Sequence, residues 1–133
     1  MTTFIGKLKI DGMETYIDSN SGTYEAGGIT FNSQPLVNGS QTKFTKIPDY
    51  TNSQGRVSFS IRANANGDNT NPINLFTSLK PRHDIEIQIL PEEGSGGMIF
   101  RNMSLMNTLE GGLTPDSTIT FEFEGDQATI LNS

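Results

Sequence analysis

The chain has no cysteine, no tryptophan and a single histidine, His83. Without cysteine there is no disulfide, no zinc–thiolate site and no thiol nucleophile, a composition suited to assembly in a reducing cytoplasm. No apolar run approaches the ~20 residues of a membrane span, and Met1-Thr2-Thr3-Phe4-Ile5-Gly6-Lys7 has no apolar signal core. A soluble, non-exported protein without a membrane partner is expected. Positive charge is also scarce. Nine Lys and Arg face fifteen Asp and Glu, for a formal charge of −6 and a pI near 4.6. That balance disfavours tight nucleic-acid binding, which draws its strength from neutralised phosphates and released counterions. It leaves room for nucleic acid that passes close by without sticking.

Apolar residues are sparse as well, at 33%, with 18% charged. Disorder normally couples few apolar residues to high charge, whereas this chain is strongly periodic. At 133 residues it reads as one domain, 1–133, with one modest core and long polar loops.

What the sequence does have is short alternating segments. In Thr118-Ile119-Thr120-Phe121-Glu122-Phe123-Glu124-Gly125 the apolar residues share one face and the acidic residues the other. His83 to Leu90 repeats the pattern through Ile85, Ile87 and Ile89, and Arg56 to Arg62 through Val57, Phe59 and Ile61. Residues 4–10 alternate before the turn signal Asp11-Gly12, and Met13 to Asp18 returns as the hairpin partner. Residues 22–32 read as a strand interrupted by a bulge or bend at Gly27-Gly28. Ser33 to Thr42 is turn chemistry carrying Leu36 and Val37; Lys43 to Ile47 is extended up to Pro48, and Asp49 to Gly55 is a polar linker. Pro72 to Leu79 is the one helix, with Leu75, Phe76 and Leu79 on a face. Met98 to Leu105 is a further strand, Asn107 to Pro115 a loop, and the last eight residues a docked or frayed arm. One helix among about seven strands predicts a mostly β fold: two packed antiparallel sheets, a sandwich or barrel, with a short flanking helix.

No constellation of residues requires catalysis. His83 has no serine, lysine or cysteine nucleophile motif beside it in sequence and reads as a surface residue at a strand entry. Glu92 and Glu93 would diverge in a strand; Glu122 and Glu124 share a face but a solvated one. Asn64 to Asp68 has the look of a calcium loop, yet lacks its leading Asp and its bidentate Glu. Asn38-Gly39-Ser40 and Asn102-Met103-Ser104 match the glycosylation pattern by coincidence, and the glycine pairs join no strand to a helix start. Neither an enzyme, a metal nor a cofactor is expected. The segment 33–42 has two readings. Its apolar residues either fold back on the protomer, or extend as an arm onto a neighbouring subunit.

The order of these segments resembles the tail tube proteins of contractile-tailed bacteriophages, the Mu-like group in particular. The resemblance spans nearly the whole chain. It rests on Gly6-Lys7-Leu8-Lys9-Ile10-Asp11-Gly12, Tyr24-Glu25-Ala26-Gly27-Gly28, and Lys46-Ile47-Pro48 ahead of Gly55-Arg56-Val57-Ser58-Phe59-Ser60-Ile61. It continues through the helix with Leu75, Phe76 and Leu79, Asp84 to Ile89, Phe100-Arg101-Asn102-Met103, and Ile119 to Gly125. Lys43 to Pro48 departs from that group, where a more acidic stretch is expected before the proline.

The resemblance implies a virion tail component assembled in the host bacterial cytoplasm. Six copies would close a ring, and rings would stack into a tube within a sheath, with baseplate and tape-measure proteins as further partners. Genomic DNA would pass through without tight binding. Leu36, Val37, Asn38, Lys43 and Phe44 are the expected inter-ring or inter-subunit loop, and Asp84, Glu86, Glu122 and Glu124 candidate acidic residues of the lumen. Two alternatives stand: a type VI secretion-like or bacteriocin tube, and a small ligand-binding β-sandwich. The second should cluster aromatics at a binding face, and this chain offers only Tyr16, Tyr24 and Tyr50 besides its phenylalanines.

Overall fold

A computed structural model describes residues 1–63, 71–114 and 116–131. The calcium-loop-like stretch Asn64 to Asp68 and the end of the 107–115 loop lie outside the described residues. In chain order the elements are β1 (Thr2–Thr3), β2 (Lys7–Ile10), β3 (Met13–Thr15), β4 (Thr23–Glu25), β5 (Thr30–Asn38), β6 (Gln41–Asp49), β7 (Gly55–Arg62), α1 (Pro72–Leu79), β8 (Ile85–Leu90), β9 (Gly97–Leu105), β10 (Thr118–Gly125) and β11 (Thr129–Leu131). The described residues are mostly β with one short helix, as the alternation predicts.

Nine of the strands form one antiparallel sheet in the order β1-β4-β7-β10-β9-β8-β2-β3, with β11 added to β9. The sheet curls through β9. The end of β9 pairs with β10 at Leu105–Phe123, while its start pairs with β8 on one side and β11 on the other. Where β9 passes Glu86 of β8, Arg101 and Asn102 oppose a single residue, and Asn102 takes φ +54. Such a bulge adds the twist that turns a sheet on itself.

The two layers made this way enclose a single core. Val57, Phe59 and Ile61 of β7 and Ile119, Phe121 and Phe123 of β10 meet Ile85, Ile87 and Ile89 of β8, Leu8, Ile10, Phe100 and Met103. Phe121 is its centre: its ring stacks on Phe59 at 5.3 Å and meets Phe76 of the helix, tilted, at 5.3 Å. The helix starts at Asn71, whose Oδ1 accepts the amides of Ile73 (2.9 Å) and Asn74 (3.4 Å), with Pro72 at its first turn. It buries Phe76 and Leu79 over the open end of the core.

Several expected boundaries move. The strand expected over residues 4–10 begins at Lys7, and β8 begins at Ile85, so His83 and Asp84 belong to the turn before it. The β2–β3 turn carries positive φ at both Asp11 (51°) and Gly12 (82°), as a I′ hairpin requires. Met13–Thr15 forms the return strand and stops short of Asp18. The terminal arm is docked through β11.

The largest correction concerns residues 22–49. The expected strand 22–32 ends at Glu25, because Gly27 (φ +81) and Gly28 (φ +135) turn the chain out of the sheet. A Cβ at Gly27 would sit 2.5 Å from the Gln54 carbonyl oxygen, so only glycine fits there. Residues 33–42, expected as loop, are instead the outer half of a regular hairpin in which β5 and β6 pair in register from Thr30↔Asp49 to Asn38↔Gln41. Only Gly39 and Ser40 form the turn, and Gly39 at φ +63 supplies the positive φ that a II′ turn places first. Nine residues of strand reach about 30 Å. Apart from Asp49, every residue of both strands is exposed.

Candidate functional site

An antiparallel register fixes which side chains share a face. On one face of the β5–β6 hairpin lie Phe31 with Pro48, Ser33 with Lys46, Pro35 with Phe44 and Val37 with Thr42. The other carries Thr30 with Asp49, Asn32 with Ile47, Gln34 with Thr45, Leu36 with Lys43 and Asn38 with Gln41. The hairpin is therefore amphipathic, and its apolar face stays exposed among the described residues of the protomer. Phe44 is 69% and Val37 70% exposed. Of the five residues expected at a subunit contact, Val37 and Phe44 share this apolar face. Leu36, Asn38 and Lys43 lie on the opposite one. Phe31, Pro35, Lys46 and Pro48 belong with Val37 and Phe44, and sequence reasoning missed them. Their signal is the alternation Phe31, Pro35, Val37 leading into Asn38-Gly39.

The base of the hairpin is tied to the body by backbone and side-chain bonds. Gly28 N donates to Ser53 O (3.2 Å), and the Asp49 carboxylate accepts from the amide and hydroxyl of Thr51 (3.0 and 2.5 Å). Those bonds hold the Asp49 carboxyl below the usual carboxylate range, the Thr51 hydroxyl contributing most.

The four acidic candidates divide between two opposed faces. Glu122 and Glu124 stand on the outer face of β10, beside Arg56, Ser58 and Ser60 of β7. Glu86 stands on the outer face of β8, on the far side of the core, with Arg101 at 3.9 Å. Asp84 lies in the preceding turn, where Arg82 binds both it (2.9 Å) and Asp11 (2.5 Å). The Arg82 guanidinium holds the Asp84 carboxyl below its usual range, through the hydrogen bond first and charge second. Glu124 is paired with Arg56 at 3.0 Å, and Arg56 also approaches Glu25 at 3.7 Å. No cation pairs with Glu122 among the described residues. On the β4–β7–β10 face two arginines, Arg56 and Arg62, meet three glutamates, Glu25, Glu122 and Glu124. On the β2–β3–β8–β9 face Lys7, Lys9 and Arg101 outnumber Glu14 and Glu86. The first face is the acidic one.

The fold also brings His83 Nδ1 to 3.0 Å from the Ser104 hydroxyl, a pairing the sequence does not reveal. Both lie on the surface outside every groove described here, and the neighbouring Asp84 carboxylate is engaged by Arg82. The arrangement lacks the oriented third group and enclosed substrate position that nucleophilic catalysis needs. Among the described residues no cluster of His, Asp and Glu is placed to hold a metal ion, and no helix is long and apolar enough to cross a membrane.

A groove of about 570 Å³ runs along β3, one end strand of the sheet, lined by Gly6, Lys7, Leu8, Glu14, Thr15, Tyr16, Ile17, Glu92 and Glu93. Glu92 and Glu93 lie in a bend after β8 rather than in a strand, so both reach this one groove.

No family model and no curated protein sequence matches the chain. Among solved structures it is similar to the anti-feeding prophage cap, a tube-terminating cap, with a TM-score of 0.58 and 12% identity over 96% of this chain and 87% of that one. It also aligns with Hcp1 from Flavobacterium johnsoniae at a TM-score of 0.44 and 10% identity, over 96% of this chain and 94% of that one. The likeness to the cap is one of fold: a curled antiparallel sheet with one short helix.

Proposed function

We propose that this chain is a structural protein of a tail tube, assembling as stacked hexameric rings around a bore and carrying out no catalysis. One observation carries the reading: a 20-residue amphipathic hairpin, Thr30 to Asp49, whose apolar face finds no cover among the described residues of its own protomer. A monomer does not keep Phe31, Val37 and Phe44 in water without cost, and burial against a neighbour offsets that cost at about 25 cal/mol per Å². Open sheet ends at β1 and β3 point the same way, because ring closure removes edges that otherwise template aggregation. The shared fold with a tube-terminating cap and the resemblance in segment order to contractile phage tail tubes agree with this reading. In that setting the protein would sit in the virion tail after assembly in the host cytoplasm. Sheath, baseplate and tape-measure proteins would be its partners, with genomic DNA moving through the bore unbound.

The β4–β7–β10 face is the better lining for such a bore. Its acidic balance and its serines and threonines repel or ignore phosphate. Glu122 and Glu124 then face the cargo, while Glu86 and Asp84 lie elsewhere. The fold of the prophage cap favours a second reading, in which the chain terminates a tube instead of propagating it.

Electron microscopy of the purified protein at rising concentration is the test. Hollow rods support a propagating tube, and isolated rings support a terminator. A monomer at every concentration would sink both readings. Replacing Val37 and Phe44 by Asp is expected to abolish rods while leaving the monomer's melting temperature unchanged.

A further inference from the structure

The hairpin's apolar face needs a seat, and the charges on the chain indicate where it lies. Thr30 to Asp49 contains Lys43, Lys46 and Asp49, a net +1, so the remainder of a chain of charge −6 carries −7. Neither lysine makes an ion pair among the described residues. Lys46 sits in the middle of the apolar face, next to Ser33 and two residues from Phe44. Its complement is an apolar slot with unpaired carboxylates at the rim.

We infer that the hairpin of one copy docks its Phe44–Lys46 face into the β3 groove of a second copy, a step that rests on the assembly reading above. The groove combines the apolar surface of Tyr16 and Ile17 with the carboxylates of Glu14, Glu92 and Glu93, and none of these three carboxylates is ion-paired among the described residues; Lys7 is its only cation. Its volume, about 570 Å³, falls in the range of about 300–1,000 Å³ that usually holds a drug-sized ligand. An aromatic ring and a lysine stem fit that space. Two further grooves among the described residues match less well. One already holds an arginine, Arg56, against Glu124 and leaves only Glu122 without a cation among the described residues, and the second offers Glu110 alone. Burial of Phe44 supplies the affinity. The exposed lysine–carboxylate contacts add little to it and set register and salt dependence instead. Because the two surfaces differ, the contact is head-to-tail and a pair of copies keeps one free hairpin and one free groove, as a growing assembly needs.

The cysteine-free chain makes cross-linking clean. Ser33→Cys places a thiol on the hairpin face and Thr15→Cys one in the groove. Mixing the two single variants under mild oxidation is expected to give a covalent dimer that neither gives alone. The double variant in one chain should give a ladder beyond dimer. Lys46→Glu in the Ser33→Cys chain should lower the dimer yield severalfold, and Glu93→Lys in the Thr15→Cys partner should restore it. Rods of the wild type without the mixed cross-link would overturn this docking and leave the tube reading standing. A wild type that forms neither rings nor rods would overturn both.

Discussion

Arg82 shows how single side chains set this surface. It joins the β2–β3 turn to the start of β8 by binding Asp11 and Asp84 together. A carboxyl whose folded pKa is depressed contributes stability that is present above its unfolded pKa and lost as pH falls through the folded value. Asp84 is such a group. Carboxyl NMR is therefore expected to show Asp84 titrating below its unfolded counterpart, and Arg82→Gln should return it to the ordinary range. A titration unchanged by that substitution would mean that the pair does not form in solution. In the core, Phe121 is fully buried against Phe59, Phe76 and Phe123. Phe121→Ala removes the piece shared by both layers and the helix, and should cost about 3–5 kcal/mol in urea unfolding. A loss below about 1 kcal/mol would place the centre of the core elsewhere.

Among the elements, β7, β8 and β10 were legible because each has one face in the core, and burial on one side writes a period of two into the sequence. The helix was legible for Pro72 at its first turn and for Leu75, Phe76 and Leu79 on one face. The hairpin was not. Its strands are exposed on both sides within the protomer, so nothing in the isolated fold imposes a contrast between them. Ser33, Gln34 and Asn38 look like loop, and Pro35 and Pro48 look like breaks. Two-stranded ribbons tolerate proline, since every strand in them is an edge. The five residues expected at a contact all lie on this hairpin, but their division between two faces depends on a register that sequence alone did not supply. Gly27 is the hinge of this element, with positive φ and a carbonyl in the way of any Cβ. Gly27→Ala is expected to destabilise the fold by more than about 1 kcal/mol, read as a shift of the urea midpoint. Gly39→Ala has open space around it and should cost less.

At the scale of the molecule, the two outer faces cannot both line one bore, because the core lies between them. Electrostatics favours the β4–β7–β10 side for the interior, and that choice is testable without a structure of the assembly. Glu122→Cys puts a lone thiol on the acidic face, and Gln88→Cys puts one on the opposite face. As monomers both should react with a bulky maleimide, since neither residue is fully buried. Once rods have formed, Glu122→Cys should be protected by tenfold or more, about 1.4 kcal/mol in equivalent terms, while Gln88→Cys keeps its reactivity. A small maleimide that diffuses in from the ends should label both. The opposite pattern would turn the protomer around, placing Lys7, Lys9 and Arg101 in the bore. A cationic bore would hold DNA by its phosphates rather than let it slip through. Equal reactivity of the two sites in rods would mean that neither face encloses a channel, and the conduit would then be lost along with the lining.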